Sequence, residues 1–555
     1  MADASQAHPA ASGPGTAGEP ARIVGVLGAG TMGAGIAQLA CRSGAETLLF
    51  DPIPAALEKG RERVLDGLRR EAAKGKLTAE QAEQAARRLQ TVAELEALAP
   101  CELVIEAVPE RLDLKHEIYG RLSEIVGESC VLATNTSSLP VTAIAAGASH
   151  PERVVGMHFF NPAPVMALLE VIAGVRSGEP ALRLARATGE AMGKTVIDAT
   201  DGPGFLVNRC NRPFGLEALR LLAEQIAEIE TIDRIVRMEG GFRMGPFELM
   251  DLVGIDTGLE VSKSFYELSF GEPRWRPSPI SARYAAAGMH GRKTGLGYYD
   301  YSGLADGGRY REEDPPPPEP PAGAGEGVLV ICGEGVLAGE LRDAAEAAGF
   351  DVRGPHEPSG GVLPSLIVEC DRVPPDGEAG GAEAAERGAA RMVLCAHGSL
   401  AKLDPGGSAV GFHVLPSFEQ ARLVELTRSE TSSPLAAERA ERLLAALGKH
   451  VAWVGDAPGL VLGRIVCQVI NESAFALGEG VGEAADIDTG MLLGLSHPRG
   501  PLEWADAIGL EHVLAVLGAL HREYGEERYR AAPALRRRVA AGRTGRASGS
   551  GFFDY

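Results

Sequence analysis

The apolar positions of this chain fall in short runs separated by amphipathic stretches. Residues 22–28 (RIVGVLG) are a β-type run. Glycines follow, and from about Thr31 to Arg42 the apolar positions recur at helical spacing. A second run, AETLLFD, ends at Asp51, so the chain opens as a β-α-β unit. Residues 54–90 are charged, alanine-rich and helical in period, with a break near 75–78, and predict an inserted helical hairpin. Apolar runs return at 102–108, 130–134 and 153–159, and after about Asp201 long helices take over. Residues 312–327 (EEDPPPPEPPAGAGEG) form a linker, extended and exposed, because four consecutive prolines fit neither a helix nor a central strand.

Beyond the linker the pattern restarts. At a constant offset of 255, Gly-Met-His at 156–158 meets Gly-Phe-His at 411–413, and Asp-Gly-Pro-Gly at 201–204 meets Asp-Ala-Pro-Gly at 456–459. Gly-Pro-Phe-Glu at 245–248 likewise meets Gly-Pro-Leu-Glu at 500–503, and GYYDY at 297 meets GFFDY at 551, one residue out of step. Agreement at one offset over so long a stretch is the mark of an internal duplication.

Composition narrows the classes. The 555 residues exceed a single core. No apolar run reaches the ~18 residues of a membrane span. The first 20 residues lack the basic start and apolar core of a signal peptide and predict a disordered tail. The eight cysteines form no CxxC pair and sit mostly in apolar runs, as expected of reduced core residues in a cytoplasmic protein; no cluster has metal-ligand spacing, so no metal is expected. A formal charge of −21 argues against nucleic acid as a partner and requires any anionic ligand to be held by placed groups.

Gly28-Ala29-Gly30-Thr31-Met32-Gly33 fits G-x-G-x-x-G, follows a strand, opens a helix and precedes Asp51 at the end of the second strand. Gly28 allows the tight turn, Gly30 a close approach of a pyrophosphate, and Gly33 close packing of helix on strand. The helix N-terminus offers free N–H groups to phosphate. Asp51 can accept hydrogen bonds from a ribose and would repel a 2′-phosphate, which favours NAD over NADP. The expected fold is therefore an α/β Rossmann-type domain plus an all-α domain, duplicated, with a degenerate second copy. Thr134-Asn135-Thr136-Ser137-Ser138 closes another strand-like run, where open α/β sheets bind ligands. His158-Phe-Phe-Asn161-Pro162 precedes Glu170, which lies twelve residues after the histidine inside the apolar run ALLEVIA. A buried glutamate needs a partner, and a His–Glu pair holds the imidazole in one tautomer as a general base. Asn208 lies about one turn into the helix after Asp201-Gly-Pro-Gly.

The motifs GAGTMG, VPE, TNTSSL, HFFNPAPVM with its later EVI, PGFLVNR, GPFELMDLVGID and GRKTGLGYYDY resemble the 3-hydroxyacyl-CoA dehydrogenase family over residues 21–302. Gulonate dehydrogenase and lambda-crystallin share the layout but carry a different His-x-x-Asn-Pro context. The resemblance implies that His158 is the general base and that Glu170 orients it. It implies that Ser137 and Asn208 hydrogen-bond the reacting substrate oxygens, and that Glu110, Lys115, Asn135, Asn161 and Lys293 line the cofactor with the glycine loop. Lys74, on the hairpin, matches a lysine that meets coenzyme A phosphate; a family serine seven residues before it is Gly67 here.

In the second half the loop 333–338 lacks the third glycine and places Glu334 where a pyrophosphate would sit, so nucleotide binding is not expected there. Gly28 and Val104 are 76 residues apart and their counterparts Gly333 and Ile367 only 34, a loss about the length of the hairpin. His413 and Glu425 keep the twelve-residue spacing, but Asn208 corresponds to Gly463, Ser137 to Gly398 and Lys293 to Ala547, so the pair is expected to be a retained structural one.

The expected order is a tail (1–20), an NAD-binding domain (21–200) with its hairpin (54–90), a helical domain (201–305), the linker (306–326), a degenerate Rossmann-like domain (327–455) and a second helical domain (456–555). The expected activity is NAD-dependent oxidation of a short-chain (S)-3-hydroxyacyl-CoA, 3-hydroxybutyryl or 3-hydroxyadipyl, in fatty-acid or aromatic-acid breakdown such as that of phenylacetate. The two halves are expected to pack as an internal pseudo-dimer, with a homodimer left open. Two alternatives stay open: a dehydrogenase of a free hydroxy acid, and a C-terminal half that acts as a binding or regulatory module.

Overall fold

The computed structural model describes residues 18–306, 309–355, 357, 363–370 and 389–555. The predicted tail lies almost wholly outside them. The chain divides into two compact units: Met1–Val207 with Gly480–Leu495, and Asn208–Glu479 with Ser496–Tyr555. Compact units therefore do not follow the linear order of segments.

The first unit is built on an eight-stranded sheet of order β3-β2-β1-β4-β5-β6-β7-β8. Its strands are β1 (Ile23–Leu27), β2 (Glu46–Phe50), β3 (Leu89–Val92), β4 (Leu103–Glu106), β5 (Val131–Thr134), β6 (Val154–Phe159), β7 (Leu168–Ala173) and β8 (Thr195–Thr200). All neighbours run parallel except β6 and β7. The central strands are apolar along both faces because helices cover both. Strand order reverses beside β1, which opens a crevice beyond the carboxyl ends of β1 and β4.

The helix Thr31–Ser43 links β1 to β2. The inserted hairpin consists of Pro54–Ala73 and Ala79–Arg87, the second helix started by a Thr78–Gln81 capping box. The hairpin expected over residues 54–90 does not reach residue 90. Instead it ends at Arg87, and residues 89–92 join the sheet edge as β3, a four-residue strand too short to show a period. The helix Ala484–Leu495 lies on β7 and β8. Thr200 N–H donates to Val481 O at 2.9 Å, and a side chain at Gly490 would strike Val207 at 2.7 Å. Close packing of this helix thus depends on glycine.

The second unit carries a seven-stranded sheet of order β10-β9-β11-β12-β13-β14-β15. Its strands are β9 (Val328–Cys332), β10 (Asp351–Arg353), β11 (Leu366–Glu369), β12 (Arg391–Leu394), β13 (Val410–His413), β14 (Leu423–Arg428) and β15 (His450–Trp453). Again one neighbouring pair, β13 and β14, is antiparallel. Ile367 faces Val330 as Val104 faces Gly25, so the two sheets share their register. The register also corrects one alignment. Thr134 pairs with Gly156 and Val393 with Gly411, which sets Ala396, not Gly398, in the place of Ser137. The same offset of 259 holds at the next helix, where Val141 and Thr142 donate their N–H groups to Asp201 as Leu400 and Ala401 donate theirs to Asp456, so the Ser-Leu pairs at 138–139 and 399–400 are similar in sequence but not equivalent in place.

In this unit Gly455 N–H donates to Ile226 O at 2.7 Å, the bond related by 255 residues to Thr200–Val481 in the first. The helices Arg212–Ala223 and Leu462–Gly478 pack together and exchange ion pairs. Arg209 binds Glu472 (2.9 Å) and Glu479 (2.6 Å), while Arg464 binds Glu217 (2.9 Å) and Glu224 (2.6 Å). The start of the linker is held down: Asp314 pairs with Arg237 (2.7 Å) and Pro316 O accepts a hydrogen bond from His450 (2.7 Å). Between and beyond these tethers the segment has no helix or strand and is for the most part exposed, as expected. Among the described residues no helix is long and apolar enough to cross a membrane.

Candidate active site

The glycine loop sits in the crevice beyond β1. Gly28 adopts φ +101°, and a Cβ there would stand 2.6 Å from Ala107 O; one on Gly33 would stand 1.8 Å from Gly28 O. Nothing lies within 4 Å of where a Gly30 Cβ would be. The loop is thus closed by helix and strand beneath and open above, a cradle fitted to a pyrophosphate. Thr31 and Met32 begin the helix and reach solvent. Asp51 fixes the rim: Oδ2 accepts the Ala29 N–H (2.9 Å) and Oδ1 the Ile53 N–H (3.0 Å), which leaves lone pairs free for a ribose.

At the end of β5, Asn135 Oδ1 accepts the Phe159 N–H at 2.9 Å and so ties this turn to the histidine strand. Glu110 accepts the Ser137 N–H (2.8 Å) and the Thr136 hydroxyl (2.9 Å). Lys115 differs from what the resemblance implied. It is 1% exposed, and its ammonium is spent on Glu106 (2.7 and 2.8 Å) and Glu110 (3.4 Å). Its charge therefore reaches the crevice only by holding those carboxylates. A lysine on an amphipathic helix gave no sign of this burial.

His158 and Glu170 face each other across the antiparallel β6–β7 pair, which accounts for their twelve-residue spacing. His158 Nδ1 donates to Glu170 Oε2 at 2.6 Å, while Glu170 Oε1 accepts the N–H groups of Leu206 (3.2 Å) and Val207 (3.0 Å). Glu170 is fully buried. Phe205, at φ +52°, sits in the tight turn that brings those two N–H groups to the carboxylate, and the rings of Phe160 and Phe205 flank the imidazole at 4.7 and 5.8 Å. With Nδ1 donating to Glu170, Nε2 carries the free lone pair of a general base.

Asn161 is exposed beyond β6. Lys74 is exposed at the end of the first hairpin helix, and the Gln38 amide fills the space that a side chain at Gly67 would take. Asn208 and Lys293 belong to the second unit, where Asn208 is partly open and Lys293 pairs with Asp256 at 2.7 Å.

The second copy presents different chemistry. His413 and Glu425 are again opposite each other across β13–β14, both fully buried, but no hydrogen bond joins them. Glu425 spends its oxygens on the N–H groups of Val461 (2.7 Å) and Leu462 (2.8 Å). His413 Nδ1 has no partner, and Nε2 meets His512 Nε2 at 3.2 Å. A Cβ on Gly463 would lie 2.2 Å from the His413 ring, so the imidazole occupies the space an asparagine would need. The pair expected from spacing alone is a neighbour relation, not a hydrogen-bonded one.

Glu239, brought in from a distant helix, completes a buried group with His413 and Glu425 whose potential metal-ligand atoms lie within 4.8 Å of one another. Burial pushes the Glu425 carboxyl up to about 8 and, with the Glu425 charge beside it, raises Glu239 well above the carboxylate range. Protonation of this buried carboxyl pair accounts for the group without an ion. Carboxyls raised in the folded state give stability that is full below their ordinary range and is lost as pH rises through the folded value, about 8 for Glu425. Glu239→Gln, which keeps a donor but no charge, is accordingly expected to raise the melting temperature at pH 9 and leave it unchanged near pH 5. Parallel pH dependence of variant and wild type would contradict this.

Above β9, Gly333 keeps a positive φ (+122°), Ala338 stands in the place of Gly33, and the Arg342 guanidinium donates to Gly333 O from beneath. A cavity of about 720 Å³ remains there; Glu334, His397, Glu511 and His512 line it, with no lysine or arginine among its lining residues.

A doubly wound sheet with a glycine cradle, an acidic rim residue and a histidine–carboxylate pair defines an NAD-dependent oxidoreductase. Residues 23–202 match the 3-hydroxyacyl-CoA dehydrogenase NAD binding domain, and residues 204–301 and again 459–555 match the 3-hydroxyacyl-CoA dehydrogenase C-terminal domain. The chain belongs to the 3-hydroxyacyl-CoA dehydrogenase family. It is 35% identical to 3-hydroxyadipyl-CoA dehydrogenase of Escherichia coli over 93% of this chain and 97% of that protein. It is 40% identical to a probable 3-hydroxybutyryl-CoA dehydrogenase of Bacillus subtilis over 50% of this chain and 96% of that one. The crystal structure of 3-hydroxybutyryl-CoA dehydrogenase from Escherichia coli superposes with a TM-score of 0.76 at 33% identity, covering 94% of this chain and 98% of that one.

Proposed function

We propose that the chain catalyses the reversible, NAD-dependent oxidation of a short-chain (S)-3-hydroxyacyl-CoA, of the 3-hydroxybutyryl or 3-hydroxyadipyl type, with one active site per chain. The observation that carries this reading is the His158–Glu170 pair, with Nδ1 tied to the carboxylate at 2.6 Å and Nε2 left free. Nε2 takes the proton of the 3-hydroxyl, and buried Glu170 stabilises the imidazolium that results. Ser137 and Asn208 hydrogen-bond the reacting oxygens. Gly28, Gly30, Thr31, Met32, Gly33 and Asp51 hold the cofactor, with Glu110, Asn135, Asn161 and Lys293 lining it and Lys115 positioning Glu110. Bound NAD supplies the hydride acceptor. Lys74 meets a phosphate of coenzyme A.

The second copy is degenerate as a catalyst in this reading. Its imidazole is not bonded to Glu425, its glycine loop carries Glu334, and Gly463 and Ala396 offer no side-chain donor where Asn208 and Ser137 would act. Its task is to form an internal pseudo-dimer with the first. The reciprocal pairs Arg209–Glu472 and Arg464–Glu217, related by the 255-residue offset, support this.

The test is NADH oxidation driven by acetoacetyl-CoA with free acetoacetate as control, together with saturation binding of NAD. Turnover of the thioester alone and one NAD per chain are expected. Turnover of free acetoacetate would favour a hydroxy-acid dehydrogenase, and two NAD per chain would overturn the reading of the second loop.

A further inference from the structure

Among the arginines set into the second unit, Arg212 stands apart. Arg209, Arg237 and Arg464 each hold two carboxylates. Among the described residues the only hydrogen bond of the Arg212 guanidinium is to the Ser262 hydroxyl, at 3.0 Å, and it lies 4.7 Å from the Phe265 ring centre. Its Nε is buried without a partner. Burial draws it down to about 10, with no nearby carboxylate to push it back, so it stays charged at neutral pH. Its Nε is sunk while part of the residue reaches the open face, so the cation is partly desolvated and, among the described residues, has no carboxylate to balance it.

Its position gives the charge a use. Along 207–216 the partly open residues are Asn208, Asn211, Arg212 and Gly215, a helical stripe, while Arg209, Cys210, Pro213 and Phe214 are buried. Arg212 therefore shares a face with Asn208, one turn away. Four residues of helix rise about 6 Å. Three carbon–carbon bonds, from C3 to C6 of a six-carbon diacid, reach about 4 Å. A C6 carboxylate thus falls within an arginine's reach when the C3 oxygen is held by Asn208.

The duplication supplies an internal control. The copy that has Gly463 in place of Asn208 has Cys467 in place of Arg212, and Leu517 and Leu520 in place of Ser262 and Phe265. The guanidinium and its surroundings occur only where the asparagine does.

We propose that Arg212 is a specificity residue that binds the terminal carboxylate of a dicarboxylic 3-hydroxyacyl-CoA. This rests on the dehydrogenase reading above, and in particular on Asn208 as a substrate contact. The pairing is charge-assisted and bidentate in kind, which a neutral acyl end cannot offer.

The experiment compares kcat/KM for 3-hydroxyadipyl-CoA, its terminal methyl ester and 3-hydroxybutyryl-CoA in the wild type, Arg212→Met and Arg212→Lys. The wild type is expected to favour the free diacid over its ester by tenfold or more, mainly through KM. Arg212→Met should bring the two close to equality, and Arg212→Lys should restore part of the preference. An unchanged diacid-to-ester ratio in Arg212→Met, or an equal loss on all three thioesters, would overturn the proposal. Should Arg212→Met fail to fold, the wild-type comparison of diacid with ester still decides. A wild type inactive on every thioester would instead defeat the dehydrogenase reading itself.

Discussion

His158→Gln is expected to lower kcat by about 10²–10⁴-fold, the usual worth of a positioned general base. The loss should fall equally on kcat and kcat/KM, because proton removal is an event of the transition state and not of substrate binding. NADH affinity should not move, since the glycine cradle and Asp51 are built from β1, β2 and the turns that follow them. His413→Gln supplies the contrast. That imidazole has no partner at Nδ1 and is pressed against Gly463, so its removal should leave turnover unchanged below the unfolding temperature. Stopped-flow and steady-state assays on the two variants measure this directly. Full activity of His158→Gln would remove the proposed mechanism.

The features that could be read from sequence were local or periodic. The glycine loop and Asp51 lie on one β-α-β unit, and His158 and Glu170 lie on adjacent antiparallel strands, so a fixed spacing encodes their contact. The duplication is legible because turn-forming Gly and Pro recur with Asp201 and Asp456 at one offset. What stayed hidden depends on residues far apart in the chain. Nothing near Lys115 marks it as buried against Glu106, and nothing near Glu239 marks it as a neighbour of Glu425. β8 has another reason to escape notice: it is an edge strand, TVIDAT, alternating between buried and open positions, in a sheet whose central strands are continuous apolar runs. The placing of the Ala484–Leu495 helix on β7 and β8 is likewise invisible to any period, since its cue is glycine at Gly490 and Gly494, where Val207 and Leu168 come close.

Arg464→Met is expected to destabilise the second unit by about 3 kcal/mol, near the lower end of what breaking a buried ion pair costs. Arg464 is fully buried and serves four groups at once: Glu217, Glu224 and the hydroxyls of Tyr524 and Tyr529. Its loss strands Glu217, a fully buried carboxylate that burial alone would push upward and that Arg220 and Arg464 hold below the ordinary range. Arg220 remains as a second partner, which keeps the penalty from the upper end. Glu217→Gln in the same chain should recover part of the loss, because a neutral amide tolerates burial where an unpaired charge does not. Arg209→Met should behave in the same direction through Glu472, whose carboxyl burial already raises and which keeps Arg274 as its remaining partner. Equal destabilisation by partners 255 residues apart would be the energetic signature of a two-fold relation written into one chain. Denaturant melts of the three variants provide the check, and a variant Arg464→Met as stable as the wild type would show that the reciprocal pairs do not hold these helices together.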